Sequence, residues 1–390
     1  MELNNYIICH YAEIALKGGN RLFFENKLLE NIKKAVNPDF LEWARLFRGR
    51  IILKLSEKSN KKELKQNLKK VFGIAFFCFA KQSSLDIKEI KKISLELIKE
   101  KKGKTFKIDA SRDNKGFTLN SQQINEAVGE YVLKHSDKQV KLQNPGITCF
   151  IEILKNAYIY TDKISGLGGM PVGSAGNVVS LISGGIDSPV SSYLLMKRGA
   201  NCIFTSFHSY PYTDEQSLKK IEELVKILNQ FQYDSKLYLI PFADIQKEIS
   251  LKTPSSLRII LYRRMMLRIS QEIAKKEKAK ALVTGESLAQ VASQTLENIE
   301  VINESCLIPV FRPLIGMDKQ EIIQIAKEIG TFKTSIIPHQ DCCIRFMPSN
   351  PETKAKIKEV KDAEKKLDID KLIKESLKGL EIKYFKFQNK

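Results

Sequence analysis

The feature that most restricts the fold is a change of rhythm near residue 178. From there short apolar runs alternate with longer amphipathic stretches: Val178 to Ile182, Pro189 to Arg198, Asn201 to Phe207, Asp214 to Phe231, Lys236 to Pro241, Ser255 to Lys276, Ala281 to Thr284 and Asp318 to Ile329. The short runs, rich in β-branched and aromatic residues, read as strands buried on both faces, and the stretches between them carry apolar residues at helical spacing. Strand and helix in strict alternation predict an α/β domain with a doubly wound parallel sheet, here residues 178–390. The remainder, Lys354 to Lys390, reads as a charged helix and a short tail.

The chain upstream follows a different pattern. Tyr6 to His10 and Arg50 to Leu55 read as strands around a helix at Asn20 to Ala35, which makes a small α+β domain over residues 1–59. A second is expected over 60–165, with helices at Lys61 to Val71, Asp86 to Lys101 and Ser121 to His135. Its strands are Thr105 to Ala110, Ile147 to Leu154 and Ala157 to Thr161. Residues 166–177 hold Gly166, Gly168, Gly169, Gly173, Gly176 and Pro171 with no charged side chain, the composition of a linker or a backbone-lined loop.

Charge narrows the partners. Sixty-four basic against 45 acidic residues give a net charge of +19, and residues 1–175 carry 31 basic and 19 acidic side chains against 33 and 26 in the rest. A polyanion is the natural partner of such a chain. Arg45, Arg48 and Arg50, beside the only tryptophan, Trp43, suit phosphate better than the many lysines on solvated helix faces. The longest apolar run, Gly73 to Ala80, is far short of the roughly 20 residues of a membrane helix, so no membrane partner is expected. Seven cysteines, an odd number spread from Cys9 to Cys343, suit reduced thiols and a cytoplasmic location.

The strongest chemical signal is Ser183-Gly184-Gly185-Ile186-Asp187-Ser188, between an apolar strand and a helix. Glycines let backbone N–H groups converge on an anion, the Ser183 and Ser188 hydroxyls add donors, and the helix start adds partial positive charge. Such a loop holds phosphates. It lacks the terminal lysine of G-x-x-x-x-G-K-[ST] and is not G-x-G-x-x-G. Asp187 has no evident structural duty there and is a candidate ligand for Mg²⁺ against phosphates. A second signal is Cys342-Cys343, bounded by Pro338 and Pro348 and followed by Arg345. Adjacent cysteines do not share one tetrahedral metal easily, which leaves a reactive thiol or a buried pair as the open readings. His208 and His339 lie near these segments and are assigned no role.

The Ser183 to Ser188 segment resembles the loop of the PP-loop ATP pyrophosphatases, which split ATP between its α and β phosphates. Further segments, Tyr11 to Arg21, Ser206 to Ser209, Arg263 to Met266, Leu282 to Leu296, Arg312 to Ile315 and Asp341 to Cys343, resemble the tRNA 4-thiouridine synthetases, also called tRNA sulfurtransferases, over almost the whole chain. The resemblance implies a ferredoxin-like domain over 1–59 and a THUMP domain that binds tRNA over 60–165. It also implies ATP contacts at Leu181, Ile182, Ser183, Gly184, Gly185, Asp187, Ser188, Ser206, Phe207, Arg263, Gly285 and Gln294. Arg263 stands where some members have lysine. Gly285 ends an apolar strand, where it would let a flat base approach the backbone; Arg263 and Arg264, without the family, would read as a solvated helix edge.

What the resemblance implies chemically is adenylation of a tRNA uridine, uridine-8, at O4. A persulfide then replaces that oxygen with sulfur, with Cys343 matching the persulfide-bearing cysteine and Cys342 the runner-up. It implies a cysteine desulfurase as sulfur donor, a homodimer, and a further role with a sulfur-carrier protein in making the thiazole of thiamine, to which no residue is assigned. Longer members carry a rhodanese-like domain beyond this point, so the expectation is that sulfur arrives on Cys343 or through a separate carrier, with Cys342, Cys202 and Cys306 as resolving thiols. A PP-loop ligase or amidotransferase for another substrate would not need the basic N-terminal half. A non-catalytic RNA-binding protein would not need the intact loop.

Overall fold

The computed structural model describes residues 5–210, 215–338 and 350–387, and the chain divides into two compact units that meet at Gly169 and Met170. In the first unit the strands are β1 (Tyr6–His10), β2 (Leu41–Phe47), β3 (Arg50–Leu55), β4 (Phe76–Ser83), β5 (Thr105–Arg112), β6 (Gln139–Val140), β7 (Ile147–Ile153), β8 (Ala157–Tyr160) and β9 (Ile164–Ser165). The helices are α1 (Arg21–Ala35), α2 (Lys61–Leu68), α3 (Ile87–Lys99) and α4 (Ser121–His135). All nine strands form one sheet in the order β2-β3-β1-β4-β8-β7-β5-β6, with β9 alongside β4.

Strand β4 runs through two neighbourhoods. Its first half, Phe76 to Ala80, pairs antiparallel with β1, and its last residues, Lys81 to Ser83, pair with β8. The sequence β1-α1-β2-β3-α2-β4 thereby makes a four-stranded antiparallel sheet ordered β2-β3-β1-β4, the ferredoxin-like arrangement. The expected boundary after Ser59 therefore falls too early: α2 and β4 are the second half of this first fold. The run Gly73 to Ala80 has no polar alternation because β4 is covered by neighbours along most of its length, and an uninterrupted run does not announce its type. Beyond it, α3 and α4 bury Ile90, Ile98, Ile124, Val128 and Val132 against Phe106, Cys149, Ile151 and Ile159. Asp86 caps α3 by accepting from Lys88 N–H, and Asn120 and Gln123 close a capping box on α4.

The second unit holds β10 (Asn177–Leu181), β11 (Asn201–His208), β12 (Asp234–Pro241), β13 (Leu282–Val283), β14 (Val310–Phe311) and β15 (Glu381–Lys386). Its helices are α5 (Asp187–Lys197), α6 (Glu215–Gln232), α7 (Ala243–Lys252), α8 (Arg258–Lys276), α9 (Leu296–Asn303), α10 (Lys319–Ile329), α11 (Phe332–Ser335), α12 (Ile357–Glu364) and α13 (Ile369–Lys378). The sheet order is β14-β13-β10-β11-β12-β15, parallel throughout except for β15, which pairs antiparallel with β12. The expected tail thus ends as an edge strand, and the charged stretch before it is two helices. Helix α8 carries the largest core: Ile260, Leu261, Met265, Ile269 and Ile273 pack against Val179, Ile203, Tyr238 and Ile240. No helix among the described residues is long and apolar enough to cross a membrane.

Candidate nucleotide site

Chain order locates the crevice. From β10 the chain steps outward to β11 and β12, then returns to the far side of β10 as β13. Helices therefore leave β10 and β13 toward opposite faces, and a crevice opens at their carboxyl ends, which is where open α/β sheets bind ligands. The residues at that point are Leu181, Ile182 and the Ser183–Ser188 loop after β10, and Thr284 and Gly285 after β13.

The twelve positions to which the resemblance assigns ATP contacts all line this one crevice. The loop supplies Ser183, Gly184, Gly185, Asp187 and Ser188, β11 supplies Ser206 and Phe207, α8 supplies Arg263, and the turn Ala292–Gln294 supplies Gln294. His208, Thr284 and Glu286 line it as well, as do Ser217, Leu218 and Ile221 of α6. Cys342, Cys343, His339 and Arg345 lie outside the described residues.

Locally the loop is held by its own hydroxyls. The Ser183 N–H donates to Ser188 Oγ at 2.9 Å, the two hydroxyls lie 3.2 Å apart, and Gly185 N–H donates to Ser183 Oγ at 3.4 Å. Both serines thus shape the loop here, a duty the sequence did not suggest for them. Helix α5 begins at Asp187, two residues before Pro189, and its start receives no side-chain cap. Its first-turn N–H groups are the orphans that an anion satisfies.

Asp187 has the structural partners it was expected to lack. Its Oδ1 takes an ion pair from Lys319 Nζ at 2.5 Å, and its Oδ2 accepts from Gln290 Nε2 at 2.9 Å. Neither partner was singled out in the sequence. A usable signal existed for one of them: Asp318 and Glu321 form a capping box on α10 and place Lys319 at the first helical position. A cation there opposes the helix dipole and calls for a nearby anion.

Gly285 is explained by packing. A Cβ built on it would lie 2.7 Å from Ser188 N and 2.9 Å from Ser188 Cα. The start of α5 occupies the space, so the glycine serves close approach of protein backbone as well as lining the crevice. Arg264 is no solvated edge: it is 1% exposed and pairs with Glu364 through Nε at 2.8 Å and with Glu304 at 2.9 Å. Arg263, one residue earlier on α8, points to the crevice instead.

Polar groups at the crevice floor are partly unpartnered. Gln294, 6% exposed, has a buried Oε1 with no hydrogen bond, and His208 has a buried Nδ1 in the same state. Burial holds the His208 imidazole below its ordinary pKa, against an opposing push from Glu381, and so favours its neutral form. Glu286, 4% exposed, accepts from Arg312 Nε at 2.7 Å and Thr284 Oγ1 at 2.9 Å. Among the described residues no group of three His, Cys, Asp or Glu side chains could hold a metal ion. Mg²⁺ usually relies on one or two carboxylates plus substrate phosphates, and Asp187 offers the one carboxylate in the loop.

The five cysteines among the described residues, Cys9, Cys78, Cys149, Cys202 and Cys306, are all buried. Burial raises the Cys202 thiol far above its ordinary range and raises Cys306 despite its bond to Ile308 O and the nearby Arg312. Neither suits the resolving role considered for it, because the neutral thiol is neither nucleophilic nor reachable.

The second unit is thus a doubly wound α/β domain with an anion loop at its switch point, preceded by a ferredoxin-like fold and a second α+β fold sharing its sheet. Comparisons with known proteins define it further. The profile of the family described as "Thiamine biosynthesis protein (ThiI)" matches residues 173–369, that of the ThiI ferredoxin-like domain residues 6–78, and that of the THUMP domain residues 85–162. A "Probable tRNA sulfurtransferase" of Caldanaerobacter subterraneus subsp. tengcongensis is 44% identical over 95% of this chain and 97% of its own length. A protein of the same name from Clostridium perfringens is 41% identical over 97% and 99%. A crystal structure of a 4-thiouridine synthetase–RNA complex with bound ATP superposes with a TM-score of 0.91 at 35% identity, covering 99% of this chain and all of that one. The chain belongs to the ThiI family of tRNA sulfurtransferases.

Proposed function

We propose that this protein is an ATP-dependent tRNA sulfurtransferase that converts uridine, at position 8 by the resemblance, to 4-thiouridine. The observation that carries this reading is the convergence of the nucleotide-contact positions on one crevice at the switch point of the sheet. The Ser183–Ser188 loop and the uncapped start of α5 hold the β and γ phosphates, and the uridine O4 attacks the α phosphate. Charge growing on the departing pyrophosphate meets fixed N–H dipoles, which need no reorganisation as the bond breaks. Mg²⁺, held by Asp187 with the phosphates, would neutralise the same charge.

AMP on O4 then makes a good leaving group of an oxygen that is otherwise a poor one. The outer sulfur of a persulfide on Cys343, loaded by a cysteine desulfurase, bonds to C4 while the C4–O bond breaks and AMP leaves. A thiol cleaves the remaining S–S bond, which releases 4-thiouridine and leaves the carrier sulfur in a disulfide that an external thiol reductant reopens.

The first unit binds the tRNA. A-form RNA offers phosphates and 2′-hydroxyls more than readable base edges, so selection is by shape. A cleft lined by Lys61, Lys62, Lys65, Lys101 and Lys163 against two carboxylates, Glu100 and Asp162, the latter paired with Lys101, keeps a net positive lining that suits phosphate contacts. Two copies of the chain are expected to act together, a state that sedimentation reads directly.

The test is mass spectrometry of tRNA nucleosides after incubation with ATP, Mg²⁺, a desulfurase and cysteine. Formation of 4-thiouridine with equal amounts of AMP and pyrophosphate is expected. Production of ADP, or unmodified uridine under all conditions, overturns the reading.

A further inference from the structure

We propose that Glu286 selects the sugar of the nucleotide: its open carboxylate oxygen accepts a hydrogen bond from a ribose hydroxyl of ATP. The proposal rests on the reading that ATP occupies the crevice of the Ser183–Ser188 loop.

Glu286 follows Gly285 just past the carboxyl end of β13, lines the crevice and is 4% exposed. Its two oxygens differ. Oε2 accepts from Arg312 Nε at 2.7 Å and from Thr284 Oγ1 at 2.9 Å, whereas Oε1 accepts from no group among the described residues. Both donors are themselves held: Arg312 Nη1 donates to Asn303 Oδ1 and to the Val310 carbonyl, each at 3.3 Å, and Ser191 Oγ donates to the Thr284 carbonyl at 2.7 Å. The carboxylate is therefore fixed by one oxygen and open at the other.

Stability alone does not call for this group. Apolar residues of similar volume often match or better a buried ion pair, and an oxygen left without a donor adds to the cost of burial. Nor does a carboxylate suit the phosphates, since like charges repel. An ionised carboxylate is, however, a strong acceptor for a neutral donor. ATP carries two kinds of such donor, the ribose hydroxyls and the adenine amino group. Position chooses between them. A Cβ on Gly285 would stand 2.7 Å from Ser188 N, so the next residue sets out from beside the phosphate loop. The ribose is esterified to the α phosphate, next to the groups the loop holds, whereas the amino group lies at the far end of the base. A hydrogen bond to a charged acceptor is worth about tenfold to 100-fold in affinity. A site that is left with an unpaired buried acceptor rejects the analogue that lacks the hydroxyl.

The full-length protein is titrated calorimetrically with ATP, 2′-deoxy-ATP and 3′-deoxy-ATP without tRNA, and AMP and pyrophosphate are measured with tRNA present. The wild-type protein should bind one of the deoxynucleotides at least about tenfold more weakly than ATP. In Glu286→Gln the two donors at Oε2 hold the amide oxygen there and turn its NH₂ to the crevice, so a donor replaces the acceptor. That variant should lose ATP affinity and bring the ratio to within about threefold. Equal binding of ATP and both analogues by the wild type overturns the proposal. So does an unchanged ratio in Glu286→Gln, whether affinity for ATP falls or stands; a raised Mg²⁺ requirement at that unchanged ratio would make the carboxylate a metal ligand instead. Should Glu286→Gln not fold, Glu286→Asp decides by the same ratio, because it keeps the charge and draws the carboxylate back by one methylene. Failure of the wild type to bind ATP, or release of ADP in place of AMP, sinks the sulfurtransferase reading itself, whereas AMP and pyrophosphate formed without discrimination among the three nucleotides sinks only the role of Glu286.

Discussion

Lys319 Nζ lies 2.5 Å from Asp187 Oδ1, so the first residue of α10 and the first residue of α5 neutralise each other at the mouth of the phosphate crevice. A lysine at a helix start is poorly placed with respect to its own dipole, and the pair is partly exposed, so its contribution to stability is small. Its value lies in what can replace it. When nucleotide phosphates enter, the ammonium can exchange the carboxylate for phosphate oxygen, and under the proposed function the freed carboxylate would hold Mg²⁺. Lys319→Ala should therefore lower pyrophosphate release by about 100-fold or more, in the range for loss of one donor to transition-state charge, with little change in melting temperature. Asp187→Ala should abolish the release. Wild-type pyrophosphate yields from either variant would remove that residue from the chemistry.

Gly285 carries a second expectation. Its missing Cβ leaves room for the backbone of Ser188, 2.7 Å from where that atom would stand, and backbone cannot step aside as a flexible side chain can. Gly285→Ala should push β13 and the start of α5 apart, at a cost of about 1–3 kcal/mol, and weaken ATP binding by displacing the phosphate loop. Thermal unfolding and calorimetric titration with ATP check both parts. Unaltered stability together with unaltered ATP affinity would show that the two segments do not approach so closely in solution.

The alternation after Val178 and the loop at Ser183 were readable because both are local: each strand, turn and helix start announces itself within a few residues. Features set by distant partners were not. Strand β4 is a continuous apolar run whose type is decided by β1 and β8 on either side, and β15 is a mixed polar segment that becomes a strand by pairing with β12. Arg263 and Arg264 look alike in the sequence, yet the turn of α8 sends one into the crevice and the other into a buried pair with Glu364, 100 residues away. For Lys319 the capping pattern announces a cation at a helix start, but its partner, Asp187, lies far along the chain and is not legible from that pattern.

Arg264 gives a stability prediction with a definite sign. Burial by itself would raise the Glu364 carboxyl, but hydrogen bonds from Arg268 and Arg264 and their charges outweigh it, and the net effect is a lowered pKa. A carboxylate whose folded pKa lies below its unfolded value stabilises the fold above that unfolded value, about 4.3, and the contribution is lost as pH falls through the folded one. Glu364→Gln should therefore destabilise at neutral pH and flatten the dependence of melting temperature on pH below about 4. Arg264→Leu, which removes two hydrogen bonds to the buried Glu364 while Arg268 keeps its own two, should cost about 1–3 kcal/mol at neutral pH. Denaturant titrations at neutral and acid pH test both, and a Glu364→Gln protein with the wild-type acid slope would count against the pair as a source of pH dependence.

The thiols yield the last prediction. Cys9, Cys78, Cys149, Cys202 and Cys306 are buried, and burial raises each of them, with Cys149 reaching about 12. A thiol held protonated and shielded from solvent reacts slowly with aromatic disulfides, since the thiolate is the nucleophile. In the native protein at neutral pH, a colorimetric thiol titration should show at most two fast equivalents, both removed by changing Cys342 and Cys343 to serine, and all seven only after denaturation. Cys202→Ser and Cys306→Ser should each leave multiple-turnover thiolation unchanged, because the disulfide left on the carrier is then opened by Cys342 or by an external dithiol. Loss of turnover in either variant, with the first turnover intact, would mean that the second unit opens during the cycle far enough to bring a core thiol to the site.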